Sequence, residues 1–391
     1  MTGEGPLVYL IAGEPSGDLL AARLMAALRR QTGGRVRFAG IGGESMREEG
    51  LDSLFPQADL AVMGLAEVLP RIPRILRRLK ETLADIESRR PAIIVTVDSW
   101  GFTGRVAKRL KAAGSTIPRL HYVAPMVWAW KAKRVHQLAG CLDALLCLLP
   151  NEAPAFEAAG LRTVYVGHSV LESGADKGDG AAFRQRQGLP EGAPLLTVLP
   201  GSRRSETSRL LPVFGETVAR LARRFPDLRV VVPTVETVAG EVRRAVAGWA
   251  LPVTVVTGQA NRYDAFAASR AALAASGTVA LELAMAGVPM AIAYRLSPVT
   301  AFLARRLIKL RFVCLINLLL DRAAVPELLL GECRAERLAP VLEGLLADET
   351  VRAAQRCGQE EALAVLGRGQ DSPSLRAARE VLAMIKAENA S

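Results

Sequence analysis

Short apolar runs alternate with longer stretches of helical periodicity along the whole chain. In the first half the runs read LVYLIA from Leu7, RVRFAG from Arg35, AIIVTVD from Ala92, RLHYVA from Arg119, DALLCLL from Asp143 and TVYVG from Thr163. Continuous runs of Val, Ile and Leu mark strands buried on both faces, and their alternation with helices marks βα units around parallel sheets. A second series follows: LLTVLPGSR from Leu195, RVVVPT from Arg229, PVTVVTG from Pro252, AALAASGT from Ala271 and VPMAIAY from Val288. Between the series lies GADKGDG from Gly174, a Gly-rich polar stretch that reads as a linker. The pattern predicts two doubly wound, Rossmann-type α/β domains, residues 1–173 and 181–360, joined by 174–180. Open parallel sheets bind ligands beyond the carboxyl ends of their strands, so a ligand cleft is expected between the domains. The sequence is helical and rich in Ala, Glu and Arg from Arg334 onward. Residues 361–391 are expected to form a C-terminal helix that packs back across the interface.

A length of 391 residues exceeds one ordinary core, which agrees with two domains. Lys and Arg number 50 against 39 Asp and Glu, a net charge of +11 that favours nucleic acid, anionic lipid or phosphorylated small molecules. Composition does not choose among them, and the nucleic-acid reading has charge alone behind it, since no recognised module appears. Five scattered cysteines without CxxC spacing indicate neither a disulfide framework nor a zinc site, and fit a reducing cytosol. The first strand-like run begins without a preceding basic region or cleavage site, so export is not expected. The longest apolar window, from Thr278 to Tyr294, contains Glu282 and a Gly-Val-Pro break. It is shorter than the ~20 residues of a spanning helix and reads as a buried helix followed by a buried strand.

Four strand ends carry candidate chemistry. The first runs into AGEPSGD, where Gly13, Ser16 and Gly17 permit a tight turn that can present backbone N–H groups and the Ser16 hydroxyl to an anion or a sugar. A helix N-cap by Ser16 or Asp18 explains the same residues. In the second domain, LPGSRRSE places Gly201, Ser202, Arg203 and Arg204 at a strand-to-helix turn, and ASGTVALE places Ser276, Gly277 and Thr278 at another, with Glu282 one helical turn on. Guanidinium forks and small-residue turns suit a pyrophosphate, and a carboxylate one turn later can accept from ribose hydroxyls. Asp98 ends the run AIIVTVD at the expected cleft mouth, a placement that suits a general base and equally a cap for the next helix. With no metal-ligand cluster in the pattern, one carboxylate and a nucleotide domain suggest group transfer from an activated donor.

These motifs, together with GIGGESM from Gly40, VMGLAEVL from Val62, HYVAPMVWAWKAKR from His121, AYRLSP from Ala293 and LINLLL from Leu315, resemble the lipid-A-disaccharide synthase family across most of the chain. The resemblance implies an inverting glycosyltransferase of GT-B architecture that takes UDP-2,3-diacylglucosamine and 2,3-diacylglucosamine 1-phosphate (lipid X). It further implies UDP held by the C-terminal domain, no cofactor or catalytic metal, and peripheral association with the cytoplasmic side of the inner membrane. By position it makes Asp98 the base and Arg203 a donor-phosphate contact. It sets Gly201, Ser202, Ser276, Gly277, Thr278 and Glu282 around the nucleotide, and Glu14, Ser16, Gly17 and Asn317 along the cleft. The oligomeric state stays open, a homodimer included. A UDP-sugar epimerase or a transferase with a non-lipid acceptor is the alternative within the same architecture. One departure is VDSWGF, where Trp100 stands in place of a smaller residue.

The paired Trp128 and Trp130 follow a first-domain strand and point the same way in an extended loop, so they are expected to wall the acceptor side of the cleft, core packing being the alternative. From Leu65 to Lys80 the sequence LAEVLPRIPRILRRLK sets apolar residues at helical spacing with Arg71, Arg74, Arg77, Arg78 and Lys80 between them. It reads as a membrane-surface segment or as a core helix with a basic outer face, helical only after Pro73. VTAFLARRLIKLRF from Val299 is a second candidate for the bilayer surface.

Overall fold

The computed structural model describes residues 5–60, 72–125, 132–275, 277–296 and 311–388. Every apolar run named above becomes a strand. The N-terminal sheet contains β1 (Leu7–Ala12), β2 (Arg37–Ile41), β3 (Ile93–Val97), β4 (Arg119–Tyr122), β5 (Ala144–Cys147) and β6 (Thr163–Tyr165), in the order β2-β1-β3-β4-β5-β6. The C-terminal sheet contains β7 (Leu195–Leu199), β8 (Arg229–Thr234), β9 (Val253–Thr257), β10 (Ala271–Ala274), β11 (Met290–Tyr294) and β12 (Glu327–Leu329), in the order β12-β11-β10-β7-β8-β9. All pairings are parallel. The pattern missed β12, whose three residues are too short for a hydrophobic period and which pairs with β11 through its backbone.

The chain divides into two compact units, Met1–Ser169 with Gln370–Ser391, and Val170–Gly369. Residues 174–180 therefore lie inside the second unit. A side chain on Gly178 would meet the Tyr263 carbonyl at 2.1 Å, the Asp179 N–H donates to Asp264 at 2.7 Å, and the Asp179 carboxylate caps helix Gly180–Arg186 through the Ala182 N–H. The glycine that reads as linker flexibility serves close backbone packing instead.

Helix Glu349–Val365 belongs to the second unit, and the chain then returns so that helix Pro373–Glu388 packs on helix Pro15–Thr32 of the first. Ala377, Ala378, Val381 and Ile385 join Leu24, Leu28 and the inner residues of β1 and β3 in one buried cluster. Complete burial of a Val, Leu or Ile side chain contributes about 1.5–3 kcal/mol, so this helix is a core element of the N-terminal unit. The Gln31 amide donates to the Leu375 carbonyl at 3.1 Å, and Arg376 donates to that of Tyr165 at 2.8 Å.

Helix Ile72–Arg89, as described, includes Pro73, so the helical structure is not confined to the residues after that proline. Its apolar residues divide between the core and the surface. Leu79 and Ile86 are buried in the core, while Ile72 and Leu76 stand 40% and 47% exposed. Residues 65–71 and the second bilayer candidate up to residue 310 lie outside the described residues. Among the described residues no helix is long and apolar enough to cross a membrane.

Candidate active site

In each sheet the strand order reverses direction at one place, and there the helices leave opposite faces and open a crevice at the carboxyl ends. In the N-terminal sheet that place lies between β1 and β3, which brings the turn after Ala12 beside the turn after Val97. Helix Pro15–Thr32 begins directly after Glu14. Ser16 is then the second helical residue and exposed, so it does not cap the helix. Nor does Asp18, whose buried carboxylate accepts from the N–H groups of Gly43, Ser45 and Met46 at 2.6, 2.9 and 3.3 Å and so anchors the start of helix Glu44–Glu48. The Gln57 amide donates to the carbonyls of Ala12 and Glu14 and fixes the loop. Gly17 sits close against the second turn, since a Cβ there would lie 3.3 Å from the Val97 carbonyl oxygen and 3.7 Å from the Cβ of Asp98.

Asp98 and Ser99 both have left-handed backbones, with φ of 51° and 43°. Non-glycine residues in this region cost on the order of 1–3 kcal/mol each, and such strain gathers at functional turns. The surroundings hold the turn in place. The Asp98 N–H donates to the Tyr122 carbonyl, the Thr103 hydroxyl donates to the Asp98 carbonyl, and the Ser99 hydroxyl donates to Glu14 Oε1 at 3.0 Å. Asp98 Oδ1 accepts from the Ser99 N–H at 2.8 Å, which leaves Oδ2 without a donor among the described residues. Glu14, Gly17 and Asp98 thus come together. The unexpected Trp100 turns inward: its ring meets His121 edge-on at 5.0 Å, packs on the cluster containing Ala107 and Leu138, and lies over Gly104, where a Cβ would come within 2.7 Å of it. His121 is structural, bonded to the Thr96 hydroxyl at 2.7 Å and driven by burial to a pKa of about 3, so it is neutral.

The reversal in the C-terminal sheet lies between β7 and β10, and it sets LPGSRRSE beside ASGTVALE. The Ala275 N–H donates to the Leu199 carbonyl at 2.8 Å and ties the two turns together. Gly201, with φ of 101°, makes a bend that an L side chain rarely adopts, and a Cβ there would collide with Glu206. Glu206, which sequence reasoning passed over although it ends the quoted motif, reaches back from helix Arg204–Ala222. It accepts from the Ser202 N–H at 3.1 Å and pairs with Arg203 at 3.2 Å. The Arg203 side chain is 61% exposed, so the pair leaves much of its guanidinium available. Gly277 and Thr278 precede helix Val279–Met285, which carries Glu282. Burial raises the Glu282 pKa, while Arg262 at 3.1 Å and the Tyr263 hydroxyl at 3.4 Å oppose the rise.

Asn317 has its amide bonded within the fold on every side. It is 1% exposed, its nitrogen donates to the Val325 carbonyl at 2.8 Å and to Glu327 Oε1 at 2.7 Å, and its oxygen accepts from the N–H groups of Ala324 and Val325 at 2.8 Å each. An asparagine amide has two donor hydrogens and two lone pairs, and all are used. In this structure the amide has a scaffold role, clamping the loop that leads into β12. Trp128, Trp130 and Ser276 lie outside the described residues. No group of three His, Cys, Asp or Glu side chains forms a metal-ligand set among the described residues.

Comparisons with known proteins bear on the fold and the family. Among solved structures, a putative UDP-N-acetylglucosamine 2-epimerase from Listeria monocytogenes matches with a TM-score of 0.68 at 14% identity, over 98% of this chain and 96% of that one. MurG of Acinetobacter baumannii matches with a TM-score of 0.56 at 16% identity, over 98% and 99%. Likeness at such identities shows the fold alone, here the GT-B arrangement of two Rossmann-type domains. The sequence comparisons are more specific. The lipid-A-disaccharide synthases of Paramagnetospirillum magneticum and Rhodospirillum centenum are 62% and 55% identical to this chain; each comparison covers 97% of it, and 98% and 94% of the respective relative. The family model described as lipid-A-disaccharide synthetase matches residues 8–381, and the chain belongs to the lipid-A-disaccharide synthase family.

Proposed function

We propose that this chain transfers a 2,3-diacylglucosamine unit from UDP-2,3-diacylglucosamine to the 6-hydroxyl of lipid X, forming the β-1,6-linked disaccharide 1-phosphate and releasing UDP. Family membership supports the reaction. The observation that carries the assignment of residues is that both switch points are occupied by the motifs chemistry singles out, Glu14 and Asp98 in one sheet and Gly201 to Arg203 with Gly277, Thr278 and Glu282 in the other. Asp98 Oδ2 accepts the proton of the acceptor hydroxyl as its oxygen attacks the anomeric carbon on the face opposite the leaving group. The anomeric C–O bond to UDP breaks, and Arg203 with the turn N–H groups carries the charge that builds on the departing diphosphate. Glu282 accepts from the ribose. Incubating the protein with the two lipid substrates should yield, by mass spectrometry, one disaccharide 1-phosphate and one UDP per turnover. Hydrolysis of the donor without a disaccharide overturns the proposal.

For substrates with acyl chains the N-terminal unit docks on the cytoplasmic face of the inner membrane through the exposed Ile72 and Leu76, the described part of the segment from Leu65 to Lys80. Arg74 and Arg77 flank them, 54% and 62% exposed and only 3.6 Å from Asp59 and Glu81, respectively. Arg78 is committed to the fold instead, paired with Asp59 and Glu81 at 2.6 Å and stacked 4.6 Å over Phe55. Replacing Ile72 and Leu76 with serine should leave the melting temperature nearly unchanged, because both are already exposed. Sedimentation with anionic phospholipid vesicles should show roughly tenfold weaker binding. Wild-type vesicle binding by this stable variant removes the face from the docking role.

A further inference from the structure

We infer that Arg262 and Tyr263, on helix Gln259–Ala268, form a positioning pair that holds the Glu282 carboxylate oriented toward the ribose hydroxyls of the nucleotide. The inference rests on the ribose role proposed for Glu282 and adds two residues that no motif in the sequence brought forward. Two contacts converge on one carboxylate oxygen: Arg262 Nη2 donates to Glu282 Oε1 at 3.1 Å and the Tyr263 hydroxyl donates to the same oxygen at 3.4 Å, while the Arg262 guanidinium lies 5.1 Å over the Tyr263 ring. The Tyr263 hydroxyl is itself held by the Gln259 amide at 3.1 Å. Glu282 Oε2, by contrast, is buried and has no partner among the described residues, and the same is true of Arg262 Nε. A native fold rarely leaves a buried carboxylate oxygen without a donor, because the desolvation is then uncompensated. The asymmetry, with one oxygen saturated by protein and the other bare one helical turn from Gly277 and Thr278, fits a carboxylate built to receive hydroxyl donors from a ligand. Arg262 and Tyr263 do not touch the reacting atoms; they set the orientation of the group that does the holding, with the Arg262 charge against it.

This division of labour has a signature that a purely structural pair would lack. Titration calorimetry with UDP and its 2′-deoxy and 3′-deoxy analogues reads the ribose contact alone. Wild type should bind UDP about tenfold or more tighter than at least one analogue, because a site built to receive a hydroxyl rejects ligands lacking it. Arg262→Met, which keeps the stem and removes the charge, should compress that ratio to within about threefold while melting like wild type, and Arg262→Lys should restore most of it. Tyr263→Phe should show a smaller compression. An Arg262→Met protein that keeps the wild-type ratio overturns the inference and leaves the ribose role of Glu282 standing. Equal binding of all three nucleotides by wild type removes the ribose role itself, and the inference with it. If Arg262→Met does not fold, Arg262→Gln is judged by the same ratio.

Discussion

Asp98→Asn is expected to keep the fold and the UDP affinity and to lower turnover by at least ~100-fold, the usual effect of losing a general base. The substitution is nearly isosteric. Its amide oxygen can still accept the Ser99 N–H that Asp98 Oδ1 holds at 2.8 Å, so the left-handed turn across residues 98 and 99 should survive. What changes is Oδ2, which becomes an NH₂ group with no capacity to take a proton. UDP is proposed to bind to the other unit, so its dissociation constant serves as an internal control. Glu14 is the rival carboxylate, yet it already accepts the Ser99 hydroxyl at 3.0 Å. Glu14→Gln should therefore cost much less. Steady-state rates with both lipid substrates decide, and near-normal turnover of Asp98→Asn removes this residue from the mechanism.

A second large effect is expected on stability. Asn317→Asp replaces a buried nitrogen that donates to the Val325 carbonyl and to Glu327 with an oxygen that only accepts. The new carboxylate faces another carboxylate and a carbonyl in the interior, where breaking a satisfied polar cluster in this way costs about 3–5 kcal/mol. Domain stabilities total about 5–15 kcal/mol, so the loss is a large share. Asn317→Ala should cost less, since it removes the donors without adding a charge, although the Ala324 and Val325 N–H groups lose their acceptor. Urea unfolding monitored by circular dichroism measures both. A loss under about 1 kcal/mol for Asn317→Asp contradicts the scaffold role.

Much of this was legible in the chain because buried parallel strands and amphipathic helices declare themselves locally, through runs and periods that depend on neighbours only a few residues away. The βα series, both Gly-bearing turns of the C-terminal unit and the strand-end position of Asp98 follow from such local patterns, and the family resemblance follows from their order. Features set by non-local pairing were not legible. Nothing near Leu199 or Ala274 says that β7 and β10 are neighbours, yet that adjacency turns two weak turns into one crevice. The Gly-rich stretch from Gly174 looked like a linker because glycine serves flexibility and close packing equally, and only the carbonyl of Tyr263 against Gly178 distinguishes them. The carboxylate of Asp18 finds its partners on backbone beyond helix Pro15–Thr32, in the turn that starts helix Glu44–Glu48, so no spacing rule could assign its role.

The same reason divides the face of helix Ile72–Arg89. The period shows that the helix is amphipathic, but only packing shows that Leu79 and Ile86 are spent on the core while Ile72 and Leu76 remain outside. By itself the sequence determined the family, the two-unit α/β class and the candidate residues for its chemistry. The tertiary structure decided which of them share a crevice, which are already saturated by the fold, and which, like Glu282, keep one buried oxygen unpaired beside Arg262. The physical reason is range: propensity and periodicity act over a few residues, whereas hydrogen-bond satisfaction and burial are settled by groups that the chain brings together from tens to hundreds of residues apart.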